Sequence, residues 1–280
     1  MIDLKGMKDW KEVSKTVWTE SPAGSSLAKD LEPGTKEFFE TVLKKRINET
    51  DWLYNIINFE KLRGKKVIEV GCGVGYDAYY FLKHGAIYKG CDLSPVNVKR
   101  AIMHLKYYGY EADIFEADAE RLPFESSSFD FYYSFGVLHH VPNFEKCLNE
   151  ARRVLKEGGE GIIVVYNKNS IFYRITFFMY NFILKGNFLR YSINEYLGFI
   201  EYTTASVRPY VKVYTKQELK NHFENARLKI LNMYIGKLEP EDLPVQKIFR
   251  KFYEKIPKRI FDFLGERYRW YIAVHFRKEN

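Results

Sequence analysis

Cysteine is scarce in this 280-residue chain. Cys72, Cys91 and Cys147 cannot pair completely and show no CxxC spacing, which excludes a disulfide framework or a cysteine zinc site and implies buried thiols in a reducing compartment. Long apolar runs are missing as well: none approaches the roughly 18 uncharged apolar residues of a membrane span. The opening MIDLKGMKDW has no signal-peptide core, so a cytoplasmic protein is expected. Acidic charge is short in one region only. Residues 168–280 hold 21 Lys and Arg against 11 Asp and Glu, whereas residues 1–167 hold 23 against 25. The same C-terminal region has 24 of the 48 aromatic residues. A basic, aromatic surface suits nucleic acid, an anionic membrane or a phosphorylated substrate.

What is present centres on Lys65 to Asp77, KKVIEVGCGVGYD. It reads as a buried strand over Val67 to Val70, a glycine-rich turn, and a helix starting near Tyr76 or Asp77. Gly71, Gly73 and Gly75 permit positive φ and close approach of backbone to a ligand. The frame Gly73-x-Gly75-x-x-Ala78 satisfies a loose dinucleotide fingerprint. Glu69 inside the strand end argues against that ligand, because a carboxylate repels a pyrophosphate but not a positively charged, amine-bearing one such as S-adenosylmethionine.

The rest of the chain alternates strand and helix. Trp10 and Trp18 lie in a short N-terminal helix that packs through its tryptophans. From Thr35 to about Phe59 a second helix has one apolar face, which either covers the cofactor pocket or packs on the sheet edge. A strand over Ala86 to Cys91 ends in Asp92-Leu93-Ser94-Pro95, with Ser94 as N-cap and Pro95 opening the next helix. Asp92 is placed to accept from both ribose hydroxyls of an adenosine. A third strand ends at Asp118-Ala119, where a carboxylate can meet an adenine amino group. The fourth, Phe129 to Phe135, opens into GVLHHVPN. A helix from about Asn143 to Lys156 and a fifth strand, Gly161 to Tyr166, complete an alternation that argues for a parallel sheet covered on both faces.

Taken in order, VIEVGCGVG, GCDLS, DAERLPF, FDFYYSFGVLHHV and RVLKEGG resemble the class I S-adenosylmethionine-dependent methyltransferases, in particular the ubiquinone- and menaquinone-type small-molecule branch. The resemblance covers about Lys65 to Asn167. It implies an α/β, doubly wound, Rossmann-like sheet of seven strands with the last antiparallel. It also implies that Glu69, Gly71, Gly73 and Gly75 hold the methionine half of the cofactor, with Asp92 on the ribose, Asp118 and Ala119 on the adenine, and Ser134, Phe135 and Gly136 on the methyl side. Cys72, Asp77 and Leu93 are expected to bind the cofactor as well. Glu157 stands where the family usually has proline.

The C-terminal part fits the same plan. Thr215-x-x-Glu218 is a capping box for a helix to about Ala226, followed by strands at Leu228 to Ile235 and Trp270 to Phe276. Residues 1–60 thus form a helical N-terminal cap, and 61–280 the methyltransferase domain with lid-like insertions at about 168–210 and 240–267. The first insertion has the aromatic density of a helix buried against something apolar. The second, around 246–269, mixes cations with aromatics and either packs internally or presents an amphipathic face to a membrane or lipid-linked substrate.

Methyl transfer from a sulfonium needs alignment, dryness and, for a hydroxyl acceptor, removal of a proton. His140, and second to it His139, stand just past strand four where an imidazole suits that task. No metal is expected, because Gly136 and His139 occupy positions that carry metal-binding carboxylates in ubiquinone-type relatives. The reading is methyl transfer, with O-methylation favoured, to a small-molecule, glycan or lipid-precursor acceptor. The alternative is an RNA methyltransferase using the basic aromatic C-terminal part. Against it, the chain lacks an Asn/Asp-Pro-Pro-Tyr/Phe motif and a Pro-Cys nucleophile, so nucleic acid is not the expected partner.

Overall fold

The computed structural model describes residues 10–22, 24, 28, 30–201, 207–236, 259 and 268–279. Seven strands form one sheet: β1 Lys66–Val70, β2 Ile87–Asp92, β3 Asp113–Glu116, β4 Phe129–Phe135, β5 Leu155–Tyr166, β6 Leu228–Gly236 and β7 Tyr271–Lys278. Their spatial order is β3-β2-β1-β4-β5-β7-β6. The pairs among β1 to β5 are parallel, and β7 runs antiparallel between β5 and β6. The expected α/β sheet with its antiparallel last strand is therefore what the chain forms. The order reverses between β1 and β4, so a crevice opens at the carboxyl ends of these strands, where α/β sheets bind ligands.

Alternation along the central strands divides the core. Ile68, Val70, Tyr132, Ile163 and Val165 face one buried cluster, and Val67, Phe131, Tyr133, Ile162 and Val164 face another. Helices α3 (Tyr76–Lys83), α4 (Pro95–Tyr107), α5 (Phe144–Val154) and α7 (Lys216–Asn225, with α6 the short Ile193–Leu197) cover them. Local chemistry sets the boundaries. Ser94 accepts from the Asn97 amide at the start of α4, and Thr215 with Glu218 forms both halves of a capping box on α7.

Three boundaries differ from the sequence expectation. Helix α2 (Lys36–Tyr54), capped by Thr35, stops short of Phe59, which belongs to a separate 3-10 turn, Phe59–Leu62, that buries Phe59 and Leu62. Strand β5 begins at Leu155 and runs through Gly158 and Gly159, with a register shift against β4 between Phe129 and Phe131. In the first insertion, Phe172–Leu184 is π-wound. Phe172, Phe177 and Phe182 are buried while Ile175, Met179, Ile183 and Leu184 are exposed, so this helix is half exposed rather than enclosed. The second insertion, including the cationic stretch 246–269, lies outside the described residues but for Arg259, Tyr268 and Arg269. No helix among the described residues is long and apolar enough to cross a membrane.

His104 ties three of these helices together. It is fully buried on α4, stacks on Phe39 of α2 at 4.4 Å, and donates from Nδ1 to the Val74 carbonyl just ahead of α3 at 3.0 Å. Burial lowers its pKa to about 4, the Val74 contact opposing the shift. Since the unfolded chain binds the proton near its ordinary value of about 6.5, the neutral form's stability is complete above that pH and lost below it. Urea unfolding is expected to show this group removing roughly 3 kcal/mol by about pH 4. A His104→Leu variant, which has no proton to gain, loses correspondingly less over the same interval; an identical loss in both proteins contradicts the assignment.

Candidate functional site

At the end of β1 the chain turns through Gly71 and Gly73, at φ of 77° and 54°. A Cβ on Gly71 would lie 2.2 Å from Val137 Cγ2, so no side chain fits there, whereas Gly73 faces open space. The Gly71 and Cys72 amides donate to the Cys91 carbonyl at 2.8 and 3.0 Å. The Gly73 amide donates to Asp92 Oδ2 at 2.9 Å, and the Ser94 amide donates to Oδ1 at the same distance. The Asn97 side chain also hydrogen-bonds this carboxylate, and since a carboxylate offers roughly four lone-pair positions, acceptor capacity is left for a ligand hydroxyl. Burial raises the Asp92 pKa, and the hydrogen bonds from the Ser94 and Gly73 amides and the Asn97 side chain oppose the shift. Leu93 beside it is half-buried.

Glu69 is buried and accepts from the Tyr88 hydroxyl at 2.7 Å. Burial first, and then the charge of Asp77, push its pKa well above the usual carboxylate value. Asp77, expected to touch the cofactor, is tied to the protein by three side chains. Its carboxylate accepts from Arg46 Nη2 at 2.5 Å, Tyr54 at 2.6 Å and Tyr133 at 3.0 Å. A buried carboxylate needs such partners, and here they anchor α2 to the start of α3. Arg46 also lies over the Phe135 ring at 4.4 Å. Helix α2 thus does more than pack: it supplies the counter-charge beneath the glycine turn.

Helix α1 (Trp10–Glu20) crosses the carboxyl ends of the strands. Lys11 pairs with Asp118, and Lys15 with Glu116 at 2.7 Å. The Thr19 and Ser94 hydroxyls are 2.7 Å apart, and Trp18 meets the His140 ring edge-on at 5.0 Å. Asp118, expected to meet the adenine amino group, carries Lys11 and accepts from the Glu120 amide at 2.9 Å. Ala119 is buried next to it. Two lysines four apart between two tryptophans were the available signal for α1 as a cover, since that spacing puts both cations on one helical face.

Ser134 to Gly136, the residues expected on the methyl side, lie at the end of β4. Ser134 donates its hydroxyl to the Val70 carbonyl at 2.9 Å, and the Gly136 amide donates to Val164 at 3.1 Å. The turn Leu138–His140 follows. His140 donates from Nδ1 to the Tyr210 carbonyl at 2.8 Å, which leaves Nε2 facing Glu201 Oε1 at 3.6 Å. Glu201 also accepts from the Tyr166 hydroxyl at 2.7 Å. Burial lowers the His140 pKa, and the Glu201 charge opposes the shift. His139 packs on Tyr166 with ring centres 3.8 Å apart, is fully buried, and has no hydrogen-bond partner on either ring nitrogen among the described residues. Its pKa falls well below the ordinary value through burial.

Against the expectation of no metal ligands, His139, His140 and Glu201 each bring one ligand atom to within 4.8 Å of the others. Two imidazoles and a carboxylate form a set that can hold a divalent transition ion, or the hydroxyl of an organic acceptor. Glu201 and Tyr210 come from the first insertion. No local motif links them to the histidines, which is why sequence reasoning missed both.

Residues 68–163 match the family model described as a methyltransferase domain. Over 100 residues the chain is 39% identical to the phthiotriol/phenolphthiotriol dimycocerosates methyltransferase of Mycobacterium leprae, covering 35% of this chain and 36% of that one. Over 110 residues it is 38% identical to the chloroplastic tocopherol O-methyltransferase of Arabidopsis thaliana, covering 38% and 32%. The chain thus spans about a third of the length of these curated relatives. Among solved structures, an S-adenosylmethionine dependent methyltransferase from Mesorhizobium loti aligns with a TM-score of 0.54 at 18% identity, over 82% of this chain and 97% of that one. The cyclase SpnF aligns with a TM-score of 0.53 at 16% identity, over 86% and 82%. Likenesses at that identity establish the fold alone: the chain has the Rossmann-like, seven-stranded fold of class I methyltransferases, and within it residues 68–163 are similar in sequence to the methyltransferase-domain family.

Proposed function

We propose that the protein transfers the methyl group of S-adenosylmethionine to a hydroxyl of a small-molecule, glycan-precursor or lipid-precursor acceptor. The observation that carries this reading is the glycine turn locked to Asp92, with Gly73 facing open space and acceptor capacity left on the Asp92 carboxylate. Glu69 and the turn 71–75 would hold the methionine half, Asp92 and Leu93 the ribose, and Ala119 one side of the adenine. The carbonyls of Ser134 to Gly136 would take the amino group. Bound there, the cofactor supplies an already activated methyl. The names of the Mycobacterium leprae and Arabidopsis thaliana relatives support a hydroxylated, lipid-like acceptor.

The chain's own part is to exclude water and accept a proton. His140 is buried and neutral, with the Nδ1 proton committed to Tyr210 and the Nε2 lone pair directed at the insertion. An acceptor hydroxyl entering beside Nε2 can pass its proton there, and Glu201 stabilises the imidazolium that forms. Trp18 and Tyr166 close the two sides of the ring.

Calorimetry with S-adenosylhomocysteine and with NAD tests the cofactor. Binding of the first is expected, and binding of NAD in its place contradicts the proposal. Asp92→Ala should weaken S-adenosylhomocysteine binding by about 1.5 to 3 kcal/mol through lost charge-assisted hydrogen bonds. An unchanged affinity removes Asp92 from the site.

For the proton acceptor, His140→Ala should lower turnover roughly 100-fold while leaving cofactor affinity nearly intact. Glu201→Gln should move the acidic limb of the pH–rate profile to lower pH, because the carboxylate's charge raises the His140 pKa. A limb that stays in place would exclude Glu201 from that role.

A further inference from the structure

The π-wound helix Phe172–Leu184 turns a second face to the outside. Its hydrogen bonds skip five residues, so side chains five apart fall near one line. Phe172, Phe177 and Phe182 therefore share the buried face, packed with Tyr196 and Leu197 of α6 and with Trp270. Ile175, Met179, Ile183 and Leu184 fall on the opposite, exposed face. The turn that follows extends this face with Phe188 and Leu189. Leu184 and Leu189, at 73% and 78% exposed, project furthest into solvent. The turn is held to the core side, since Asn187 donates to the Asn181 carbonyl at 2.7 Å and to the Tyr196 hydroxyl at 3.0 Å.

Charge decides what this face meets. Arg174, Lys185 and Arg190 are exposed around it, and residues 161–194 contain no Asp or Glu. A second copy seated here would set cations against cations, whereas an anionic surface is attracted and offers hydrocarbon to the leucine tips. We propose that the outer face of this helix and turn docks on an anionic lipid surface, its leucines entering the acyl boundary and its cations meeting lipid phosphates.

The placement has a functional consequence. The helix's inner aromatic cluster includes Tyr166, which packs under His139 and bonds Glu201. One face of the insertion would thus lie on lipid while the other borders the histidine pocket. An apolar acceptor could pass between them without crossing water. The docking surface itself does not depend on the methyl-transfer proposal.

Flotation of the full chain with phosphatidylcholine vesicles, with and without phosphatidylglycerol, at low and high salt, tests it. Binding is expected only with phosphatidylglycerol, and weaker at high salt. Leu184→Gln with Leu189→Gln should abolish it, with circular dichroism and S-adenosylhomocysteine affinity unchanged. Lys185→Gln with Arg190→Gln should lower it roughly 30-fold at low salt. No flotation of the wild type overturns the proposal. So does flotation undiminished in the leucine variant, which would move the contact to another segment such as 246–269. Sedimentation in which the leucine variant loses self-association but not vesicle binding also overturns it, in favour of a second copy. Loss of S-adenosylhomocysteine binding in the wild type would instead strike the methyl-transfer proposal and leave the surface standing.

Discussion

Three consecutive amides, of Gly71, Cys72 and Gly73, are all held by the last two residues of β2. This junction is the constraint on which the candidate site depends. A strand end normally leaves its amides to solvent; here the Cys91 carbonyl takes two and the Asp92 carboxylate one. The turn is thereby fixed in the left-handed region that only glycine visits cheaply. Because Asp92 also holds the Ser94 amide, the same carboxylate sets the start of α4. Loss of that group would loosen the glycine turn and the helix entrance together.

Below the turn, the structure buries more charge than a core usually accepts. Glu69 and Asp77 would repel one another in a low-dielectric setting, and the Arg46 guanidinium from α2 compensates. This explains why a helix so far upstream in the chain belongs to the site. Above the turn, α1 lays Lys11 and Lys15 on the acids of β3 and its following loop, and Trp18 on His140. The crevice is thus enclosed by elements that precede the methyltransferase domain in sequence.

Much of this was legible from the residues. Hydrophobic runs, the Ser94-Pro95 cap and the Thr215 capping box located the strands and helices, because these signals act within a few residues. Gly71, Gly73 and Asp92 were legible for the same reason: the turn's geometry demands them locally. The protein partners of Asp77 and Asp118 were not legible, because Arg46, Tyr54 and Lys11 lie 23 to 107 residues away. Glu201 was invisible because only tertiary packing of the insertion brings it to His140. The half-exposed face of Phe172–Leu184 was hidden in its composition, which cannot distinguish a fully enclosed helix from a π-wound one with two apolar faces.

One crevice, floored by the glycine turn and roofed by α1, is where the proposed cofactor would bind. Hydrogen–deuterium exchange with and without S-adenosylhomocysteine tests it most directly, since exchange reports opening of each backbone segment. Protection is expected together in residues 71–76, 92–94, 118–119 and 134–137, and in α1 at 10–20. Protection confined to other segments, or an α1 that exchanges equally in both states, would contradict the account.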